Sequence, residues 1–116
     1  MFTALNDKNT FGYPFEKIRN AIAVPSEKNV DAATSAGLEV LSRRDDAFRQ
    51  ELDAAGELGN WEYDLDTYNH CIAVLQRYFT GNPSGLTERD ARIYSHYLQT
   101  EHKRFVKLAE ELAAGR

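Results

Sequence analysis

Tyr63-Asp64-Leu65-Asp66-Thr67-Tyr68-Asn69-His70-Cys71-Ile72-Ala73-Val74-Leu75-Gln76-Arg77-Tyr78-Phe79 is the stretch that decides the fold. Leu65, Tyr68, Ile72, Leu75 and Phe79 recur at spacings of three, four, three and four, which is the seam of a helix packed against other helices. A strand cannot gather these five side chains on one side, because its side chains alternate with a period of two. The spacing predicts a helix over about residues 63–79. Thr80-Gly81-Asn82-Pro83-Ser84-Gly85 follows as the clearest loop in the chain.

Downstream, Thr87 caps a further helix, with Asp90 three positions on and Glu88 favourable to the helix dipole. Tyr94, Leu98, Phe105, Leu108 and Leu112 carry its apolar stripe. Upstream, Gly56, Gly59 and Asn60 form the strongest breaker cluster. The helix before it starts at a cap supplied by Ser26 or Asn29 and ends near Ala55, with Val30, Ala33, Gly37, Leu38, Leu41, Phe48, Leu52 and Ala55 on one face. At about 1.5 Å per residue it is roughly 40 Å long. Pro14 suits a first helical turn, Phe15, Ile18 and Ile22 follow at helical spacing, and Pro25 closes a short helix over Pro14–Ala23. Residues 1–13 read as an arm that Phe2, Leu5 and Phe11 can anchor, and residues 14–116 as one helical domain. Val, Ile and Thr never cluster in alternation, so the chain reads as all-α: an up-down bundle of three long helices plus one short N-terminal helix. The long helices exceed what a compact domain of this size needs, which predicts an elongated bundle or a homodimer.

Composition agrees with one folded domain: 116 residues, 42% of them hydrophobic. No apolar run reaches the roughly 18–20 residues of a membrane span. Met1-Phe2-Thr3-Ala4-Leu5-Asn6-Asp7-Lys8 lacks the charged lead and apolar core of a secretory signal. Cys71 is the sole cysteine, so no internal disulfide forms and the expected location is the cytoplasm. The net charge of −4 argues against direct binding to nucleic acid or anionic lipid. That charge is uneven. From Asp45 to Asp66 eight acids face Arg49 alone, a net of −7, while the rest of the chain is net +3.

The chemistry-bearing residues do not assemble into a known site. Asp66 and His70 are four apart on one helix face, yet two ligands do not make a metal site, and no second such pair exists. Asp64-x-Asp66 opens like a calcium loop but lacks its glycine and terminal glutamate. Cys71 lies by the apolar seam, where cysteine behaves as a small hydrophobe, and His70 points about 100° away from it. Neither a phosphate loop, a nucleophile elbow nor a dinucleotide fingerprint is present. Ala33-Thr34-Ser35-Ala36-Gly37-Leu38 has the order of a helix-turn-helix turn, but Arg43 falls where that motif needs an apolar residue, so an uninterrupted helix is expected. No metal or cofactor is expected, and no enzymatic activity.

Residues 52–85 resemble a single tetratricopeptide repeat, a 34-residue helical hairpin that implies peptide or protein binding. Leu58-Gly59, Tyr68, Cys71, Leu75 and Pro83 match its pattern, while Ala55, Glu62 and Tyr78 depart from it. The flanking windows carry no such match, and one repeat cannot bury its own face. No membership follows.

Glu57-Leu58-Gly59-Asn60-Trp61-Glu62-Tyr63-Asp64-Leu65-Asp66 gathers the only tryptophan, a tyrosine and four carboxylates around a turn. Aromatics give contact area at small entropic cost, and carboxylates steer a basic partner. Glu57, Trp61, Glu62, Tyr63, Asp64 and Asp66 are therefore the candidate partner-binding residues, even though Trp61 can also serve as a plug for the core. Asp45 and Glu101 interrupt two apolar stripes and are expected to stay wet through local rotation of those stripes. The expected function is a non-enzymatic adaptor, regulator or accessory subunit that binds a protein with a basic surface. The alternative is a small acidic inhibitor occupying the nucleic-acid-binding surface of its partner. An enzyme with a dispersed carboxylate site is third.

Overall fold

The computed structural model describes Phe2, Ala4, Leu5 and residues 13–115. The described residues form four helices and no strand: α1 (Tyr13–Ala23), α2 (27–54), α3 (Leu58–Phe79) and α4 (Glu88–Ala113). The all-α reading holds, with α1 only 11 residues long. Among the described residues no helix is long and apolar enough to cross a membrane.

Ser26 is the N-cap of α2, its hydroxyl accepting from the Asn29 N–H at 3.1 Å. The Asn29 amide instead donates to the Val24 carbonyl at 2.9 Å. The helix then runs through Ala33-Thr34-Ser35-Ala36-Gly37-Leu38 without a break, but this segment is a π turn. A physical reason lies in the pattern it must bury. Ala33, Gly37, Leu41 and Asp45, four residues apart, are all buried. In a regular α-helix each four-residue step overshoots a full turn by about 40°, so three steps carry the stripe roughly 120° around. Widening a turn to i→i+5 bonding keeps it facing the core.

Gly37 is also where α1 approaches α2. A Cβ at this position would lie 3.0 Å from Ile18 Cγ1 and 3.1 Å from the Pro14 carbonyl oxygen. The carbonyl is backbone and cannot swing away. Gly37→Val is therefore expected to lower stability by about 1–3 kcal/mol through overpacking, despite valine's better helix propensity. Urea unfolding measures this directly, and an unchanged midpoint would show that α1 does not depend on that contact.

Gly56 ends α2 at φ +74°, with Glu57 N–H donating to the Leu52 carbonyl (2.9 Å) and Gly56 N–H to Asp53 (3.0 Å). This is the bond pair of a glycine-terminated helix. α3 consequently starts at Leu58 rather than near Tyr63. Gly59 and Asn60 sit in its first turn, where few N–H bonds are at stake, Asn60 N–H donating to the Glu57 carbonyl at 3.1 Å, and weak helix formers do little harm. After α3, Asn82 (φ +46°) clasps the connection: its amide donates to the Leu86 carbonyl and its oxygen accepts from Leu86 N–H, both at 2.9 Å. Thr87 Oγ1 accepts from Asp90 N–H at 3.1 Å and caps α4.

The continuous α3 also departs from the tetratricopeptide resemblance. A repeat over 52–85 places two short helices in that window, whereas α3 runs unbroken from Leu58 to Phe79.

Leu65, Tyr68, Ile72 and Leu75 are buried, as their spacing requires, and Phe79 packs at the margin. α3 packs on α2 and α4, and α1 lies on α2 and α4. Aromatic rings join three helices at the centre: Phe105 of α4 meets Phe48 of α2 at 5.9 Å and Tyr68 of α3 at 5.4 Å, centroid to centroid. Phe2 adds to the same column at 6.3 Å from Phe48. Leu5 is buried, and Ala4 N–H donates to the Glu51 carboxylate at 3.2 Å. The start of the chain is thus anchored on the domain through Phe2 and Leu5, while the anchoring role read for Phe11 falls outside the described residues. The molecule measures 45 × 28 × 18 Å with a radius of gyration of 14.5 Å, longer than the roughly 13 Å of a compact domain of this size.

Candidate functional site

The six residues read as a partner-binding group all lie at the start of α3 or just before it, but they do not face one way. Glu57 is half-buried and accepts from the Asn60 amide at 3.4 Å. Trp61 packs against the core margin, with the Arg104 guanidinium of α4 over its ring at 5.7 Å from the centroid. Arg104 also bonds Glu101 at 2.6 Å and lies 3.9 Å from Asp64. Trp61 and Asp64 therefore belong to a contact between α3 and α4. Asp66 turns to α2, where Arg49 holds it at 3.1 Å.

What remains on the outer face is Tyr63, 81% exposed, beside exposed Glu62. The ring of Tyr63 contributes almost nothing to the core. Its hydroxyl and face are available to another molecule, with the Asp66 carboxylate one turn further on. Asp46 and Asp53 of α2 are exposed as well and form no ion pair among the described residues. The −7 segment thus produces a real acidic surface, thinned where Arg49 and Arg104 neutralise part of it.

The two polar interruptions are buried, contrary to the expectation that they stay wet. Asp45 is 3% exposed and Glu101 6%. A rotating stripe cannot release them, because residues on both sides of each are fixed: Leu41 and Phe48 around Asp45, Leu98 and Phe105 around Glu101. Each carboxylate instead has an arginine from its own helix. Arg49 lies 3.7 Å from Asp45 at i+4, and Arg104 bonds Glu101 at i+3. Burial raises the Asp45 carboxyl to about 6, with Arg49 opposing and Asp46 and Asp66 adding to the rise. His102 is also enclosed, its ring edge-on to Phe15 at 5.1 Å. Burial and the nearby Arg44 charge depress it to about 4, so it is neutral in the fold at pH 7.

Cys71 is buried at the seam, and desolvation pushes its thiol above the ordinary value. That suits a packing role and opposes thiolate chemistry. Asp66 and His70 are both exposed on α3, and among the described residues no three His, Cys, Asp or Glu side chains converge as a metal site. The sequence reading missed Arg49 and Arg104 as organisers of the acidic group. Their signal was present in the helical spacings to Asp45 and Glu101.

No known protein family matches the chain, and no characterised protein or solved structure is similar to it.

Proposed function

We propose that this chain is a non-enzymatic helical interaction protein that binds a basic partner through the outer face of α3. The observation that carries it is Tyr63, 81% exposed, beside the exposed carboxylate of Glu62, with Asp66, partly neutralised by Arg49, one turn on. A tyrosine so exposed gives the fold little, while at an interface it brings a large, rigid contact area and a hydroxyl. The surrounding acids favour a partner of opposite charge and speed its approach. Trp61 and Asp64 then act from beneath, holding α3 against α4 so that the face is presented on a rigid helix. On this reading the helices form an up-down bundle and the chain works in the cytoplasm, as a monomer or a homodimer.

Tyr63→Ala with Glu62→Lys tests the proposal. Both side chains are exposed, so unfolding free energy is expected to stay within about 0.5 kcal/mol of wild type. Capture from source lysate, followed by native mass spectrometry, is expected to yield a stoichiometric partner with wild type and to lose it with the double variant. Retention of the partner by the folded variant would remove this face from consideration.

The exposed carboxylates of Asp46 and Asp53 favour one narrower version, an acidic inhibitor seated on a partner's nucleic-acid-binding surface. Binding would then weaken steeply with salt and compete with nucleic acid.

A further inference from the structure

A groove lies between α1 and α4. It encloses about 330 Å³ and is lined by Arg19, Ile22 and Ala23 of α1 and by Arg92, Ser95, His96 and Gln99 of α4. Its volume lies at the lower end of the range for small-molecule pockets. Buried Ile22 and Ser95 form the deep part, whereas the two arginines stand exposed at the sides. A second depression continues along α4, sharing Arg92 and His96 and adding Glu88, Arg89 and Ile93, the last 57% exposed.

The charge of this groove has the reverse sign to the protein's. In a chain of net −4, its lining holds two arginines and no carboxylate. The Arg19 guanidinium is held in place by donating to Gln99 Oε1 at 3.0 Å, which leaves its other N–H groups to a ligand. Arg92 pairs with Glu88 one turn back, both side chains more than half exposed. Such a surface pair is weak and exchanges readily for a better-placed anion.

We propose that this groove binds a small amphiphilic carboxylate, its head taken by Arg19 and Arg92 and its apolar body laid over Ala23 and the adjoining Ile93. The guanidinium fork matches a carboxylate with two parallel N–H···O bonds. The exposed apolar lining at Ala23 and Ile93 selects against fully hydrated anions, because only a ligand with a hydrocarbon portion gains from covering it. This site is independent of the α3 face and does not rest on the function proposed for it.

The test is an amide-shift NMR titration of the full chain with octanoate, 1-octanol, octylammonium and hexyl phosphate. Octanoate is expected to give saturable shifts confined to residues 19–23 and 92–99, with a Kd on the order of 1 mM for so small a ligand. Octanol and octylammonium are expected to bind at least about tenfold more weakly, and Arg19→Ala with Arg92→Ala to weaken octanoate by a similar factor. Both arginines are exposed, so an unchanged wild-type-like spectrum elsewhere verifies the fold of that variant. Equal binding of octanol, unsaturable or scattered shifts, or an unaffected double variant would overturn the proposal. Tighter binding of hexyl phosphate than of octanoate would overturn the choice of a carboxylate.

Discussion

Phe105→Ala is expected to remove about 3–5 kcal/mol of folding stability, a large share of the roughly 5–15 kcal/mol that holds a domain of this size. Phe105 is 2% exposed and belongs to α4, but its ring partners are on two other helices: Phe48 on α2 and Tyr68 on α3. Truncation leaves a void that no single helix can close by a small shift. Phe48 is itself held from the far side by Phe2. Tyr68 cannot relax outward without exposing a phenol that is now 2% exposed. Urea unfolding followed through Trp61 fluorescence reports the loss, since Trp61 lies between the core margin and Arg104. Phe105→Leu keeps most of the volume and is expected to cost under about 1.5 kcal/mol. If Phe105→Ala stayed within about 1 kcal/mol of wild type, the three-helix aromatic junction would not be the centre of the core.

The helices and the core were legible in the sequence because one residue spacing encodes both. Leu65, Tyr68, Ile72 and Leu75 announce α3 and are also the residues it buries. The start of α3 was harder to read: Gly56 and Gly59 look alike in sequence, yet only Gly56 takes a left-handed conformation. The π turn was hidden for a related reason. Runs of four-residue spacing from Ala33 to Asp45 do indicate underwinding, but they become informative only once Asp45 is known to be buried. Local composition made the acidic group at the start of α3 visible. It could not say which members face outward, because that depends on Arg49 and Arg104 reaching across from other helices. The α1–α4 groove is a matter of tertiary packing, with Arg19 and Arg92 far apart in the chain.

The two buried ionisable groups give the second large effect, and they act in opposite directions. His102 is depressed from 6.5 to about 4. Its neutral form suits the fold, so its contribution is fully present above pH 6.5 and is lost as pH falls through 4. Asp45 is raised from 3.8 to about 6. Its protonated form suits the fold, so its contribution is fully present below pH 3.8 and is lost as pH rises through 6. Each amounts to about 3 kcal/mol. Between pH 6.5 and 4 acidification therefore withdraws one contribution and restores the other, and in wild type the two largely cancel. Single variants separate them. Asp45→Asn lacks the contribution that wild type regains on acidification, so its stability relative to wild type is expected to fall by about 3 kcal/mol as pH drops from 6.5 to 4. His102→Gln lacks the contribution that wild type loses on acidification, so its stability relative to wild type is expected to rise by a similar amount over the same range. Comparison with wild type at each pH cancels the exposed carboxylates, including Asp66 on Arg49, and makes the slope independent of whatever each substitution costs at pH 7. The double variant should track wild type. Urea midpoints collected at half-unit pH steps decide the matter: two single variants with parallel slopes would mean that Asp45 and His102 titrate alike in the folded and unfolded chain, and that their burial does not govern their protonation.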